Sequence, residues 1–347
     1  MGVTHVSVGS ALSQTEYEAS GSHSVDGLHN GLINGCMRVA QRGTSFTSAT
    51  TPANSDDTYL LDRWILLSDV NDTVDVSQST TVIPTGAYAS MKLEVETANR
   101  QFGILQVLEA RDAARFIGGY VSLSFQARMA ASDDNTHSLK AVILSWNSTA
   151  DTVTSDVVNV WGATPTYVAN WTAENTPASN TLTTTWTTFE IENVYIDTAS
   201  TTNIAVFIFC DQTDGAIDDA IIITGIQLEL GSVCTDFEYR AYEQELALCQ
   251  RYYEKWETTS FVKAASAYSL VCISWKVSKR ITAGTITVKD TAGTSSKIST
   301  YAANNTRTDG RDYVAASASM HALQVTTADT DSDIAGEFSE VTCSVEL

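Results

Sequence analysis

The chain holds 347 residues, 43% hydrophobic and 18% charged, which suits two domains with buried cores and excludes a fully disordered polymer. Four prolines and 19 aperiodic glycines exclude a Pro-rich linker and a collagen-like repeat. With 20 basic against 41 acidic residues the net charge is −21, a field that repels nucleic acid and anionic lipid, since both are bound through basic contacts to phosphate.

Residues 1–33 are small and polar, rich in Ser, Gly and His, with no periodic segment. They read either as an extended arm or as an attachment segment that orders on a partner. The stretch Met1 to Ser20 has no basic start and no apolar core, so no signal peptide is expected there. His5 and Val6 fit an N-myristoylation pattern badly. No run of about 18 uncharged apolar residues occurs, so no membrane insertion is expected.

From 34 to 240 the pattern is β. Short apolar or alternating runs recur at Tyr59 to Leu67, Tyr120 to Arg128, Lys140 to Trp146, Thr187 to Tyr195, Ile204 to Cys210 and Ile221 to Leu230. Met37 to Phe46 reads as the first strand. Polar loops such as Ala131–Thr136 and Asp211–Gly215 separate the runs, and Ser and Thr supply about a quarter of all residues, as exposed strand faces prefer. Many short strands with almost no helix between them predict a sandwich or barrel, not a βαβ sheet. Leu105 to Arg115 is ambiguous and could hold a helical turn.

Glu243 to Trp256 carries apolar residues at Leu246, Cys249, Tyr253 and Trp256, which is helical spacing, with acids first and Arg251 and Lys255 late. The stripe is too short for a free coiled coil, so it packs against a domain or against copies of itself. Residues 257–347 return to β, with strands expected at Ser269 to Val277, Gly284 to Lys289, Gln324 to Thr327 and Phe338 to Leu347. The expected division is an arm at 1–33, a jelly-roll domain at 34–240, a linking helix at 241–256 and a small C-terminal β-sandwich at 257–347.

The six cysteines, at 36, 210, 234, 249, 272 and 343, form no CxxC pair and match no zinc-site spacing. They read as buried reduced thiols of a protein assembled in a reducing cytoplasm. Arg38 and Arg42 stand four apart in an acidic chain, either paired with carboxylates of a neighbouring strand or subunit, or simply solvated. Trp64 reads as a core plug if buried and as a sugar platform if exposed; Trp146 and Trp186 sit in strand patterns and read as core.

Sugar recognition needs a flat aromatic face against the C–H face of a ring, with amides and carboxylates beside it for the hydroxyls. Trp161, Tyr167, Asn170, Trp171, Glu174 and Asn175 supply that set within one loop-like stretch. The competing reading is that two of these three rings pack down under a long loop. No cofactor is expected. Asp329 to Glu340 spaces its acids like a calcium loop but has Ile334 where such a loop needs Gly, so a solvated acidic turn competes with a calcium ion there, and Asp211, Asp214, Asp218 and Asp219 form a second acidic group. The five histidines, at 5, 23, 29, 137 and 321, form no HExxH, and there is no GxxxxGK[ST] and no GxGxxG, so no enzyme activity is expected.

Three stretches together carry a resemblance: Asn34 to Phe46, Tyr59 to Trp64, and Gly225 to Ser232 running on through Phe237 to Tyr242 and Glu245 to Glu254. Their order resembles bacteriophage tail-fibre and virion appendage proteins, with a jelly-roll domain similar to a carbohydrate-binding module, a short helix and a small C-terminal β-domain. The resemblance implies a virion surface protein, assembled in the host cytoplasm and often trimeric, whose partners are other virion proteins and host-cell surface glycans. Related jelly-roll modules often hold a structural calcium. The alternative it leaves open is a structural virion component, a capsid decoration or tail-fibre adaptor making only protein contacts.

Overall fold

A computed structural model describes residues 29–131, 137–210, 215–262, 269–282, 284–301, 307–311, 315–318, 322–327 and 335–347. The strands from 45 to 230 form two antiparallel sheets packed face to face. The first sheet contains β1 (Ser45–Phe46), β4 (Val74–Ser79), β5 (Ser90–Val95), β7 (Tyr120–Met129), β13 (Thr187–Tyr195) and β15 (Ala220–Leu230), in the spatial order β1-β4-β5-β15-β7-β13. The second contains β2 (Thr58–Tyr59), β3 (Ile65–Ser68), β6 (Phe102–Leu108), β8 (Ser138–Trp146), β11 (Trp171–Ala173), β12 (Asn180–Thr181) and β14 (Asn203–Cys210), with the order β11-β8-β14-β6-β3-β2 and β12 beside β8. A small ribbon, β9 (Val158–Val160) with β10 (Thr166–Tyr167), lies between β8 and β11 in the chain. The chain is mainly β, as its sequence pattern predicts.

Strand composition decides which faces are covered. β14 reads Asn-Ile-Ala-Val-Phe-Ile-Phe-Cys and is buried along its whole length. Ile204, Val206, Ile208 and Cys210 enter the core between the sheets, while Ala205, Phe207 and Phe209 enter a second apolar cluster on the opposite face. β6 and β8 divide in the same way, with Leu105 and Val107, and Val142, Leu144 and Trp146, in that second cluster. A continuous apolar run is a strand covered on both faces. β5 and β7 instead alternate, sending Met91, Leu93, Leu123 and Phe125 inward and leaving polar side chains on the far side, and in the second half of β15 Ile226 and Leu228 turn inward while Gln227 and Glu229 turn outward.

Several sequence expectations shift. Residues 29–33 are part of the sandwich and not of an arm: Leu32 is fully buried and the Gly31 amide donates to the Leu228 carbonyl at 2.7 Å. Residues 1–28 lie outside the described ones. Only Ser45–Phe46 of the expected first strand pairs, because Asn34 and Met37 adopt left-handed backbone that breaks extension. The run from Tyr59 to Leu67 is split by a turn that buries Asp62, Arg63 and Trp64 together, and Trp64 is a core residue donating to the Asn34 carbonyl at 3.0 Å. The ambiguous segment is strand to Leu108 and then one helical turn, α1 (Ala110–Ala113). Trp146 is core, but Trp186 is only half-buried and belongs to no buried cluster, since it precedes the edge strand β13.

The expected helix ends early. α2 (Tyr242–Gln250) stops before Tyr253, and β16 (Tyr253–Val262) begins there, pairing Tyr253 to Ser344 and Trp256 to Val341. Strand pairing outweighs the helical spacing. Leu246 and Cys249 are on the helix, Cys249 buried, whereas Tyr253 and Trp256 are on a strand, and Trp256 packs on the C-terminal core of Val288, Ile298, Phe338 and Val341. The four residues form no single stripe.

The C-terminal part has two sheets. In the larger, β16, β18 (Thr285–Lys289) and β19 (Ile298–Tyr301) all pair with β23 (Ala335–Ser344), and β20 (Arg307–Arg311) pairs with β19; the smaller joins β17 (Ser269–Ser274), β21 (Ala315–Ala318) and β22 (Ala322–Thr327). Its tie to the sandwich is ionic and aromatic. The Glu346 carboxylate accepts from Arg42 at 3.0 Å and from Arg63, and these guanidiniums lie 3.7 Å over the Tyr253 and Tyr252 rings, respectively. Arg251 and the Tyr252 hydroxyl both donate to Glu109. Among the described residues five cysteines are free, and four of them, Cys36, Cys210, Cys249 and Cys343, are buried, Cys249 with its thiol pushed well up by burial.

Candidate functional site

The aromatic set predicted from sequence is packed down. Trp171 opens β11 and is buried, its ring 5.2 Å from that of Trp146 and its indole N–H donating to the Thr154 carbonyl at 2.9 Å. Trp161 lies edge-on to Phe207 at 5.9 Å, and both it and Tyr167 are half-buried against the outer apolar cluster. Burial pushes the Tyr167 phenol up to about 12. Glu174 accepts a hydrogen bond from Ser145, and burial raises its carboxyl above the usual range despite that bond. Asn175 is tied to the backbone of Ile143 and Ala141. Asn170 is exposed in a left-handed turn, φ 74°, where Asn is tolerated. The segment 147–175 is thus a flap over the second sheet, with Trp171 buried beneath it and Trp161 and Tyr167 half-buried.

A different aromatic surface stands out on the first sheet. After β15 the chain turns back over that sheet as residues 231–241. Thr235 donates to Glu229 by its amide (2.7 Å) and its hydroxyl (2.6 Å), and the Glu238 amide donates to Gln227 at 2.8 Å. Gly225, φ +63°, sits in the bulge where the pairing of β15 with β7 slips, and Phe237 lies over it. Arg240 is the buried anchor, donating to the Leu32 carbonyl at 2.9 Å and to that of Asn30.

With Arg240 turned inward, Tyr239 turns outward. Tyr88, Tyr239 and Tyr242 are 48%, 43% and 38% exposed, among the most exposed large apolar side chains described. The Tyr239 ring meets Tyr88 edge-on at 5.8 Å and Phe237 at 4.8 Å. Their three hydroxyls have no protein partner among the described residues. Burial, and then the nearby Cys36 and Tyr88, raise the Tyr239 phenol, so it stays protonated.

Arg38 completes the cluster. Its guanidinium lies 4.0 Å over the Tyr88 ring and 5.0 Å from the centre of Tyr242. The turn that carries it is rigid: the Asn34 side chain holds the Val39 amide and carbonyl at 2.9 Å each, and Gln78 donates to the Met37 carbonyl at 2.6 Å. Arg42 has the carboxylate partners that sequence reasoning allowed for both arginines; the Arg38 guanidinium has neither a hydrogen bond nor an ion pair among the described residues. Glu238 and Glu245, in the segment that carries the tyrosines, are committed to Arg240 and to the amides of Asn30 and Asn34.

This surface was missed at the level of sequence because Arg38, Tyr88 and Tyr239 are far apart in the chain. The signal available was Phe237-Glu-Tyr-Arg beside a strand with polar Thr224, Gln227 and Glu229. A second exposed pair, Tyr120 and Tyr195, sits opposite across β7 and β13 at 5.3 Å. Among the described residues no group of acids, histidines or cysteines is arranged to hold a metal ion. Asp329, Asp331, Asp333, Asp211 and Asp214, of the two expected acidic sites, lie outside those residues.

No protein-family model matches the chain, and no curated protein matches it in sequence. Among solved structures, it is similar to the enzymatically active domain of bacteriophage CBA120 tailspike protein 4, with 15% identity, covering 54% of this chain and 21% of that one, at TM-score 0.32. It is similar to the CBM22-1 xylan-binding domain of Paenibacillus barcinonensis Xyn10C, with 12% identity, covering 52% of this chain and 94% of that one, at TM-score 0.32. It is also similar to TmCBM61, solved with beta-1,4-galactotriose, with 12% identity, covering 54% and 99%, at TM-score 0.30. The chain spans about a fifth of the tailspike's length. Alignments this loose assign neither a family nor a ligand to this chain.

Proposed function

We propose that this chain is a phage virion appendage protein, of a tail or head fibre, that attaches the particle to glycans of the host surface and acts by binding, without turnover. The observation that carries the reading is the cluster of Tyr88, Tyr239 and Tyr242 around Arg38. Exposed rings with unclaimed hydroxyls beside an unclaimed guanidinium offer the C–H stacking face and the donors that a saccharide needs. The resemblance of Asn34 to Phe46 and Gly225 to Glu254 to virion appendage proteins supports the setting.

A single sugar site of this kind is weak, and copies on one particle raise it through effective concentration. A homotrimer on the virion, assembled in the host cytoplasm, would supply such copies. The test is a glycan array with the full chain. Binding that is lost in Tyr88→Ala and Tyr239→Ala, with folding intact, supports the reading; no binding to any glycan overturns it.

A second reading has its own observation. Tyr120 and Tyr195 make an exposed patch of two rings in edge contact, and tyrosine is enriched at protein contacts. Through that patch the protein joins other virion components, as an adaptor or decoration. Ordering on purified capsids or tails, with no binding to cells, selects this reading over the first.

A further inference from the structure

We infer that Arg38, framed by Tyr88 and Tyr242, is a subsite for a carboxylate-bearing sugar residue, a uronate or sialate. The inference rests on the glycan-binding reading above and names the ligand class of that surface.

The free donors of the guanidinium decide the chemistry. Tyr88 and Tyr242 lie against it, their ring centres 4.0 Å and 5.0 Å from its central carbon, and its N–H groups make no hydrogen bond to the described residues. These N–H groups form a planar fork of donors that matches the two oxygens of a carboxylate in one bidentate contact. A neutral hydroxyl engages one donor and leaves the rest unused.

Four other arginines supply the contrast. Arg42, Arg63, Arg240 and Arg251 are each closed by a carboxylate of the chain itself, from Glu346, Glu245 or Glu109. Among the described residues Arg38 alone of these five has no carboxylate partner, in a chain with 41 acidic residues, and it stands on a braced turn beside exposed rings. The stacking keeps the side chain in place, so little of its rotamer freedom remains to be lost on binding. The net charge of −21 repels an acidic polymer at a distance, so the attraction acts at short range. Binding is therefore measured near 0.15 M salt, where the screening length is about 8 Å.

The experiment uses the full chain and a set of oligosaccharides bearing galacturonate, glucuronate, mannuronate or sialate, each beside its methyl ester. The ester keeps the ring and hydroxyls and removes the charge. At least one acid is expected to bind about tenfold more tightly than its ester, a difference of about 1.4 kcal/mol. Arg38→Gln should abolish that preference, so that each acid and its ester bind alike, and should move the thermal midpoint only slightly, because among the described residues the guanidinium contributes ring stacking alone. Arg38→Lys, which keeps the charge but not the fork, should restore only part of it. Equal binding of every acid and its ester, or an Arg38→Gln protein that still prefers the acid, overturns the inference. If neutral glycans bind while acids gain nothing, the subsite assignment fails and the glycan reading stands. If no glycan of any kind binds, both fall.

Discussion

Two segments of the molecule cover the outer faces of its two sheets, and they treat their aromatic rings in opposite ways. The flap at 147–175 drives Trp171, Trp161 and Tyr167 down onto the second sheet. The return segment at 231–242 holds Tyr239 and Tyr242 out. The difference lies beneath them. Under the flap are Leu144, Val107, Phe207 and Phe209, which gain by being covered with rings. Under the return segment are Gln227, Glu229 and Ser122, which dock the chain by hydrogen bonds and leave the rings nothing apolar to enter. Whether an aromatic-rich loop is a platform or a plug depends on the face below it.

The largest effect should therefore come from the flap. Trp171→Ala removes a buried ring from the outer cluster and is expected to destabilise the chain by about 3–5 kcal/mol, read from urea midpoints with an unchanged slope. It should alter glycan binding only through the folded fraction. A Trp171→Ala protein of full stability that has lost its ligand would reverse the comparison and return the site to the flap.

Next comes the seam that closes the other end of the same face, where Leu347 packs on the outer cluster and the Tyr59 hydroxyl donates to its carbonyl at 2.9 Å. Glu346→Gln leaves Arg63 buried without a carboxylate and should cost about 3 kcal/mol. Pairing it with Arg63→Met should recover part of that loss, because the stranded charge is then gone. If the double variant is no better than the single one, packing and not charge holds the seam.

Smaller in stability, and opposite in readout, are the exposed rings. Tyr88→Ala and Tyr239→Ala should each change stability by no more than about 1 kcal/mol. Each should weaken glycan binding about tenfold, by loss of a stacking face, as isothermal titration would show. Loss of more than about 3 kcal/mol in either would make this surface structural too.

How far the sequence carries this contrast can be seen in single strands. β14 reads as a continuous apolar run and β15 breaks its run with Thr224, Gln227 and Glu229, so the two kinds of outer face are written locally. The mainly β fold and most strand positions follow from such runs. The fate of Trp161 and Trp171 did not follow, because nothing local says that their segment returns to the face made by Phe207 and Phe209. Arg38 was visible as a cation, but its tyrosine neighbours come from residues 88 and 242, brought together only by the fold. Tyr253 and Trp256 kept helical spacing with Leu246 and Cys249, yet the ladder with Ser344 and Val341 claimed them for a strand.

The weakest effect concerns acid, and it separates the sandwich from the C-terminal sheet. In the sandwich, burial and then acidic neighbours raise Asp75, beside Asp72 and Glu94, and likewise Asp156, beside Asp56 and Asp57. Between the ordinary and the raised value the folded state holds more protons than the unfolded one, so stability there should rise as pH falls through that window. Glu340 behaves in the opposite way. Burial works to raise it, but Lys255 and Lys289, each 2.8 Å away, prevail and hold it below the usual range. Its contribution is present above the ordinary carboxylate value and is lost as pH falls through the lower folded one. Hydrogen exchange from pH 7 to 3 should show the amides of β5 gaining protection while those of β23 later lose it. Asp75→Asn should flatten the first trend and Glu340→Gln the second. A decline shared by both regions from pH 7 downward, insensitive to Asp75→Asn, would mean that the sandwich carboxylates are no more strained than those of the C-terminal sheet.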